Sequence, residues 1–415
     1  MNNSISRLLE ETTCPIRDAL WKDIRFSPAF LAILRTAEVQ KLAHIQQLGP
    51  VSLVYPSAVH TRLDHSIGVY HHAFQIMLSL LRGDQGTFTD EGIHGFLCAA
   101  LLHDIGHFPY AHALKELSIA THEQLAAALI LSKGELNDTI RNAGIDPSFV
   151  AAIIDETIPS FDKELLLYRS ILSGTLDPDK LDYLNRDAFF CGVPYGMQDA
   201  SYITGHLVLR GGNIALEEEA IASVEHVLFA KYLMYRNVYW HRGTRSATAM
   251  VKEAVLTLLE EGAIKETDMQ NLDDAQFFSL LKAKGGAASR LAGLVRQGRT
   301  FVLVDEKDHD DARPLDRMAK GLAGRMETER KLEVVLSLPP HSLVVDIPEP
   351  ISFEASIPIL KSDGTISTFQ KEDQLFQSDI SSVFAKCLRK TRIYCERDIG
   401  KDAMEKAVAS LSSKG

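Results

Sequence analysis

Apolar residues recur every three or four positions through most of residues 25–260, and that period predicts helices. Ala29–Gln47, His65–Leu81, Asp90–Leu102, His122–Leu131 and Ala220–Leu259 carry it most clearly. Thr89 with Asp90 supplies an N-terminal cap for the third of these, and Gly106 with Pro109 breaks it. Thr121 and Gln124 have the spacing of a capping box for the fourth. After about residue 295 the pattern shortens. Thr300–Val304, Glu333–Leu336, Ser342–Ile347, Ile357–Leu360 and Thr391–Cys395 read as strands, and Gln377–Arg389 as a helix. Lys361-Ser362-Asp363-Gly364 predicts a hairpin turn, because Asp-Gly accepts positive φ. The expected fold is mainly α. A helical domain spans residues 1–295, with its motifs inside 47–187, and a smaller α+β region spans 296–415. The Ser-rich end, Ala409–Gly415, is expected to fray.

Composition narrows the class. With 46% hydrophobic and 24% charged residues, the chain reads as globular and not as disordered. A formal charge of -11 without a basic stripe argues against a duplex nucleic-acid surface, yet leaves room for one basic pocket. The best apolar run, Phe96 to Leu102, is far too short to span a membrane. Cys14, Cys98, Cys191, Cys387 and Cys395 are scattered with no C-x-x-C pair, as expected of free thiols in a reducing compartment. The first residues lack a secretory pattern, so a cytoplasmic protein is expected.

The chemistry gathers in three runs: His60-Thr61-Arg62-Leu63-Asp64-His65-Ser66, His103-Asp104-Ile105-Gly106-His107 and Asp177-Pro178-Asp179-Lys180-Leu181-Asp182-Tyr183. His65, His103, Asp104 and Asp179 would give mixed imidazole and carboxylate ligands to an octahedral divalent ion that keeps positions open for water and substrate. His103 and Asp104 diverge by about 100° on a helix. Both reach one ion only near a helix end, which Gly106 and Pro109 make plausible. A lone His-Asp pair arises easily by chance; the accompanying His65 and Asp179 are what give it weight. His107, His112 and His122, with Glu116 and Glu123, could move a proton, although any one of them could equally be a structural or surface residue. Arg62, Lys180 and Lys231 could neutralise phosphate oxygens. A solvated surface charge is the stronger alternative for Lys231.

These motifs resemble the HD-domain phosphohydrolases, specifically their dNTP triphosphohydrolase branch. The resemblance runs from Arg17 to Arg245. Besides the three runs it includes Gln47-Leu48-Gly49, Thr121-His122-Glu123-Gln124 and Arg186-Asp187. It implies that His65, His103, Asp104 and Asp179 hold the metal, which could be Mn, Fe, Co, Ni, Zn or Mg. It also implies that Arg62, His112, Lys180 and Tyr183 contact phosphates, with His107 and His122 along the same pocket. Gln47 and Asp187 would bind the sugar 3′-hydroxyl, and Tyr239 would pack at C2′ and exclude a ribose hydroxyl. The implied reaction is attack of metal-activated water on the α-phosphorus, with His112 protonating the 5′-oxygen and deoxynucleoside and triphosphate as products. A nucleotide activator and a homo-oligomer, dimer or tetramer, are implied as partners.

Two departures bear on this. Lys115 stands where the family has an acidic residue three positions after His112, leaving Glu116 or Glu123 to orient that ring. Arg35 and Ala43 replace the acidic and Arg side chains of the regulatory nucleotide pocket, while Gln40 is kept. The alternatives are a phosphodiesterase or nucleotidase acting on other nucleotides or single-stranded ends, and a nucleotide sensor with little catalysis.

Overall fold

The computed structural model describes residues 3–83, 86–117, 120–353, 355–373, 375–376 and 378–412, and the chain is mainly helical. Its central helix is Arg62–Leu80, flanked by the Asp90–Leu102 and Pro178–Cys191 helices. Thr61 begins it with a complete capping box: its Oγ1 accepts from Asp64 N (3.3 Å), and Asp64 Oδ2 accepts from Thr61 N (2.8 Å). Asp90–Leu102 and His122–Leu131 form as expected, capped by Thr89 and by the Thr121–Gln124 box.

Two long periodic segments are broken. Ala29–Gln47 divides into helices Pro28–Leu34 and Ala37–Gln40 and a 3₁₀ turn, Lys41–His44. The break is at Thr36, extended at ψ 150, whose hydroxyl takes up the Ile33 carbonyl at 2.8 Å. Ala220–Leu259 divides into Ile221–Met234, a π-turn at Tyr235–Tyr239 and Arg242–Glu260. There Trp240 N donates to Tyr235 O at 2.9 Å, five residues back, and His241 caps the next helix.

Among the described residues, nine strands make three sheets: β1 Cys14–Asp18, β2 Lys22–Phe26, β3 Leu207–Arg210, β4 Asn213–Glu217, β5 Val302–Asp308, β6 Leu343–Asp346, β7 Pro358–Leu360, β8 Ile366–Thr368 and β9 Lys390–Cys395. The β3–β4 hairpin lies inside the stretch read as helical. It turns through Gly211 and Gly212 at φ +59 and +77, a conformation that glycine adopts freely. The Asp363-Gly364 turn forms as expected, but its strands extend the β3–β4 sheet through a parallel β4–β7 pairing. β9 sits between β5 and β6, antiparallel to both.

Glu333–Leu336 is not a strand. It ends the Gly321–Val335 helix, in which Arg325, Met326, Glu329, Leu332 and Glu333 are buried at helical spacing. Val334, whose β-branched side chain suggested a strand, is 79% exposed. At the C-terminus the Lys401–Ser412 helix continues through most of the segment expected to fray, and residues 413–415 lie outside the described residues.

Two apolar cores support the helix ends and turns that carry the candidate ligands. One joins the Arg62–Leu80, Asp90–Leu102 and Pro178–Cys191 helices. The other joins the Arg242–Glu260 helix to Val344 of β6 and Tyr394 of β9, and also takes in Phe108 and Leu114. Among the described residues, no helix is long and apolar enough to cross a membrane.

Candidate metal centre

Three helix ends converge. His65 is in the first turn of Arg62–Leu80, and Asp179 is in the first turn of Pro178–Cys191, whose cap is Asp177. The Asp90–Leu102 helix stops just before His103 and Asp104. The helix does not persist to His107, so that residue enters through a turn, with its N–H on the Asp104 carbonyl at 3.0 Å.

His65 is almost fully buried. Its Nδ1 donates to Asp182 Oδ2 at 2.8 Å, and its Nε2 lies 3.0 Å from Asp179 Oδ1. Asp182 is itself fixed by Arg186, with Nε to Oδ2 at 2.8 Å and Nη2 to Oδ1 at 2.9 Å, and by Trp21 Nε1 at 2.6 Å. Arg186 Nη1 reaches Asp18 at 2.9 Å. The approach of the two helices depends on Gly68, where a Cβ would sit 1.8 Å from Asp182 Oδ1.

His103 Nδ1 donates to the Ala100 carbonyl at 2.9 Å, which fixes the tautomer and leaves Nε2 as a lone pair. That Nε2 is buried without a hydrogen-bond partner, 3.4 Å from Asp104 Oδ1 and 4.0 Å from Asp179 Oδ1. Asp104 Oδ2 accepts from Arg62 Nη1 at 2.5 Å, and Oδ1 lies 3.3 Å from His107 Nε2. Ligand atoms of His65, His103 and Asp104 all lie within 4.8 Å of one another, as do those of Asp104, His107 and His122. An orphaned imidazole nitrogen beside two carboxylates, with Asp104 held by the buried Arg62 and His65 by the buried Asp182, fits a divalent cation.

The charges agree. Burial disfavours a charged His65, but hydrogen bonds and charge from Asp179 and Asp182 override it and raise the ring to about 10. Burial also opposes ionisation of Asp104, yet His107, His103 and Arg62 hold its carboxyl well below the usual range. A metal ion can take over the role these protons play between the carboxylates.

The second histidine group is adjacent. His107 stacks on His122 with centroids 4.0 Å apart, and His112 lies 4.9 Å from His107. Gly106 permits this packing, since a Cβ there would fall 2.1 Å from the His122 carbonyl. His112 faces solvent at the rim; the protein mass behind it, Arg62 and Lys115 lower its pKa. Neither expected partner reaches it. Glu123 pairs with His122 at 3.1 Å, and the Glu116 oxygens are taken by Lys252 and Arg325. Among the described residues, no hydrogen bond joins His112 to a carboxylate.

Further along the Pro178–Cys191 helix, Asp187 accepts from His60 Nε2 at 2.9 Å and from the Tyr239 hydroxyl at 2.6 Å. Tyr183 and Tyr239 meet edge to face at 6.5 Å. Gln47 Oε1 is buried and unpartnered. Lys180 Nζ is held by the Gly174 carbonyl at 2.8 Å and by Asp177. Lys231 is committed elsewhere, to the Ser352 carbonyl at 2.8 Å and the Phe353 ring.

Sequence reasoning missed the residues behind the ligands. Asp182 and Arg186 follow Asp179 at helical spacing, a usable signal. His60 opens the first quoted run and Asp18 lies at the start of the resemblance, but neither was given a role, and Trp21 carried no signal that singled it out.

Comparison with known proteins places this geometry. The HD domain family model matches residues 62–184, and that of the HD associated region matches residues 199–408. The uncharacterized protein YwfO of Bacillus subtilis is 32% identical over 53% of this chain and 49% of its own length. The uncharacterized protein MJ1154 of Methanocaldococcus jannaschii is 32% identical over 64% and 54%. The deoxynucleoside triphosphate triphosphohydrolase SAMHD1 of Bos taurus is 25% identical over 60% and 48%. The chain thus spans about half the length of these curated relatives. A phosphohydrolase structure from Bacteroides thetaiotaomicron shares the fold, with TM-score 0.74 at 23% identity, covering 92% of this chain and 100% of that one. A hypothetical protein from Aquifex aeolicus does likewise, with TM-score 0.70 at 24% identity over 96% and 99%.

Proposed function

The chain belongs to the HD-domain proteins that carry an HD-associated region, and from that premise we propose that it is a divalent-metal phosphohydrolase that converts deoxynucleoside triphosphates to deoxynucleosides and triphosphate. The observation that carries this reading is the buried trio His65, His103 and Asp104, with Asp179 facing it and the Asp187–Tyr239 pair further along the Pro178–Cys191 helix that carries Asp179. The likeness to a mammalian dNTP triphosphohydrolase supports the choice of nucleotide.

His65, His103, Asp104 and Asp179 would hold the metal, which when bound acidifies water and screens charge developing on a phosphoryl oxygen. Arg62 gives one donor to Asp104 while its buried Nε has no partner, so donors remain for a phosphate oxygen. Lys180 exchanges Asp177 for phosphate. Burial and the nearby carboxylates keep the Tyr183 hydroxyl protonated, and therefore a donor. Gln47 and Asp187 take the sugar 3′-hydroxyl. The Tyr239 ring, anchored through its hydroxyl to Asp187, leaves a 2′-hydroxyl neither room nor a partner. His112 gives a proton to the departing 5′-oxygen. A bound triphosphate raises the His112 pKa toward the range where that is possible.

A second reading is an HD phosphodiesterase or nucleotidase. The engagement of Glu116 by Lys252 and Arg325, with Lys115 beside it, favours it by leaving His112 without a carboxylate. Product analysis decides. Metal-loaded protein is incubated with each dNTP alone and with all four mixed. Triphosphate plus deoxynucleoside is the expected result, and turnover only in mixtures would reveal a nucleotide activator. Orthophosphate or mononucleotides would select the second reading, and tight binding without turnover would select a sensor.

A further inference from the structure

We propose that Glu116 is a positioning residue: with Lys252 and Arg325 it fastens the His107–Leu117 segment to the HD-associated region and so sets His112 against the metal cluster. The role in turnover rests on the activity proposed above; the fastening itself does not.

The segment leaves the core that supports the metal ligands. Phe108 and Leu114 are buried instead beside Met250, Phe277, Val344 and Tyr394. Tyr110, in a left-handed conformation at φ +60, stacks on Phe277 at 5.8 Å. His112 lies on the short 3₁₀ turn Ala111–Leu114, which has no side-chain cap of its own. Among the described residues no hydrogen bond fixes the ring, which meets only the His107 and His122 rings, so its position depends on what holds the segment from outside.

Glu116 does this with both oxygens. One binds Lys252 on the Arg242–Glu260 helix, and the other binds Arg325 on the Gly321–Val335 helix. The three side chains are only 19%, 17% and 8% exposed. Removing the carboxylate strands two enclosed cations beside each other, so the contact resists exchange for water. The adjacent Lys115 is exposed and carries the wrong charge for either cation. A turn holding a proton donor is thus fixed by two helices that contribute no metal ligand.

The test uses the whole metal-loaded chain and three variants: Glu116→Gln, Arg325→Met and Arg325→Lys. Hydrogen exchange by mass spectrometry reads residues 107–117, metal analysis reads the cluster, and kinetics are taken on the best nucleotide substrate. Glu116→Gln and Arg325→Met are expected to speed exchange in 107–117 while sparing the Arg62–Leu80 helix, and to leave metal content unchanged. They should lower kcat roughly 10- to 100-fold, as expected for a small misplacement of a catalytic group. KM should stay within roughly twofold, and Arg325→Lys should restore most of kcat. Unchanged exchange in 107–117 would overturn the fastening. Loss of metal along with kcat, without rescue by lysine, would reduce it to a general structural role and overturn the positioning. Wild-type protein that hydrolyses no nucleotide would overturn the activity and the catalytic part of the role, whereas faster exchange in the variants would still support the fastening.

Discussion

His103 shows how a candidate ligand is prepared one atom at a time. The Ala100 carbonyl holds the proton on Nδ1, and Nε2 is left buried and unpaired beside Asp104. Asp104 has two tasks, because its other oxygen neutralises Arg62, which is 4% exposed. Asp104→Ala is therefore expected to abolish metal binding and turnover while the fold persists. Stranding Arg62 should cost about 3 kcal/mol of stability. Metal analysis and a thermal melt check both, and full metal occupancy in the variant would contradict the assignment. Beside Asp187, Tyr239→Ala should lower the dNTP-to-rNTP preference by roughly tenfold or more. Competition between a dNTP and its ribonucleotide measures that ratio, and an unchanged value removes Tyr239 from sugar selection. His103 and Asp104 were legible because they stand in a run whose neighbours also made sense as caps or ligands, whereas Tyr239 entered only through the family resemblance. Glu116 was legible only as a candidate partner for His112. Its actual partners are 136 and 209 residues away, and no local spacing announces them.

Between elements, the site depends on helix ends and on one close approach. The Asp90–Leu102 and His122–Leu131 helices were predicted with their observed bounds, because Thr89 and Thr121 cap them through side-chain oxygens. Where the prediction failed, tertiary or turn chemistry overrode the period. Apolar spacing continues across Tyr235–Tyr239 even though the backbone has shifted to a π-turn. The Gly211-Gly212 turn was a readable hairpin signal that the surrounding helical pattern obscured. Glu333 and Glu329 are polar residues buried to accept strand N–H groups, from Ser342 at 2.8 Å and Val345 at 2.6 Å, so the apolar run misled. Gly68 carries a prediction at this scale. Alanine is the better helix former, but its Cβ would displace Asp182 from the Arg62–Leu80 helix. Gly68→Ala is expected to cost about 1–3 kcal/mol through overpacking. It should also weaken metal affinity roughly 10- to 100-fold, because Asp182 orients His65. Denaturant melts and metal titration measure the two effects, and unaltered metal affinity would show that His65 holds its orientation without Asp182.

At the scale of the molecule, the HD-associated region is held together internally by enclosed charges as well as by apolar packing. Around the inner face of the Gly321–Val335 helix, Glu329 and Glu333 cap β6 while Glu253 projects from the Arg242–Glu260 helix. Three carboxylates in one region repel, and His341 offsets them, with Nδ1 2.7 Å from Glu253 Oε1. The hydrogen bond to Glu253 raises the His341 pKa above 6.5, against the opposing effects of burial and Arg330. Because the folded pKa exceeds the unfolded one, the folded chain binds this proton more tightly. The stabilisation is complete below pH 6.5 and disappears as pH rises through the folded pKa. With His341 about a quarter exposed, solvent limits the gain to about 1 kcal/mol. Wild-type stability from urea melts should therefore contain a component that is lost as pH rises above 6.5 through the folded pKa, and His341→Gln should remove that component while leaving the rest of the pH profile in place. Parallel profiles for the two proteins would mean that Glu253 and its neighbours tolerate their crowding without the imidazolium, and that the two helices are held together by their apolar core alone.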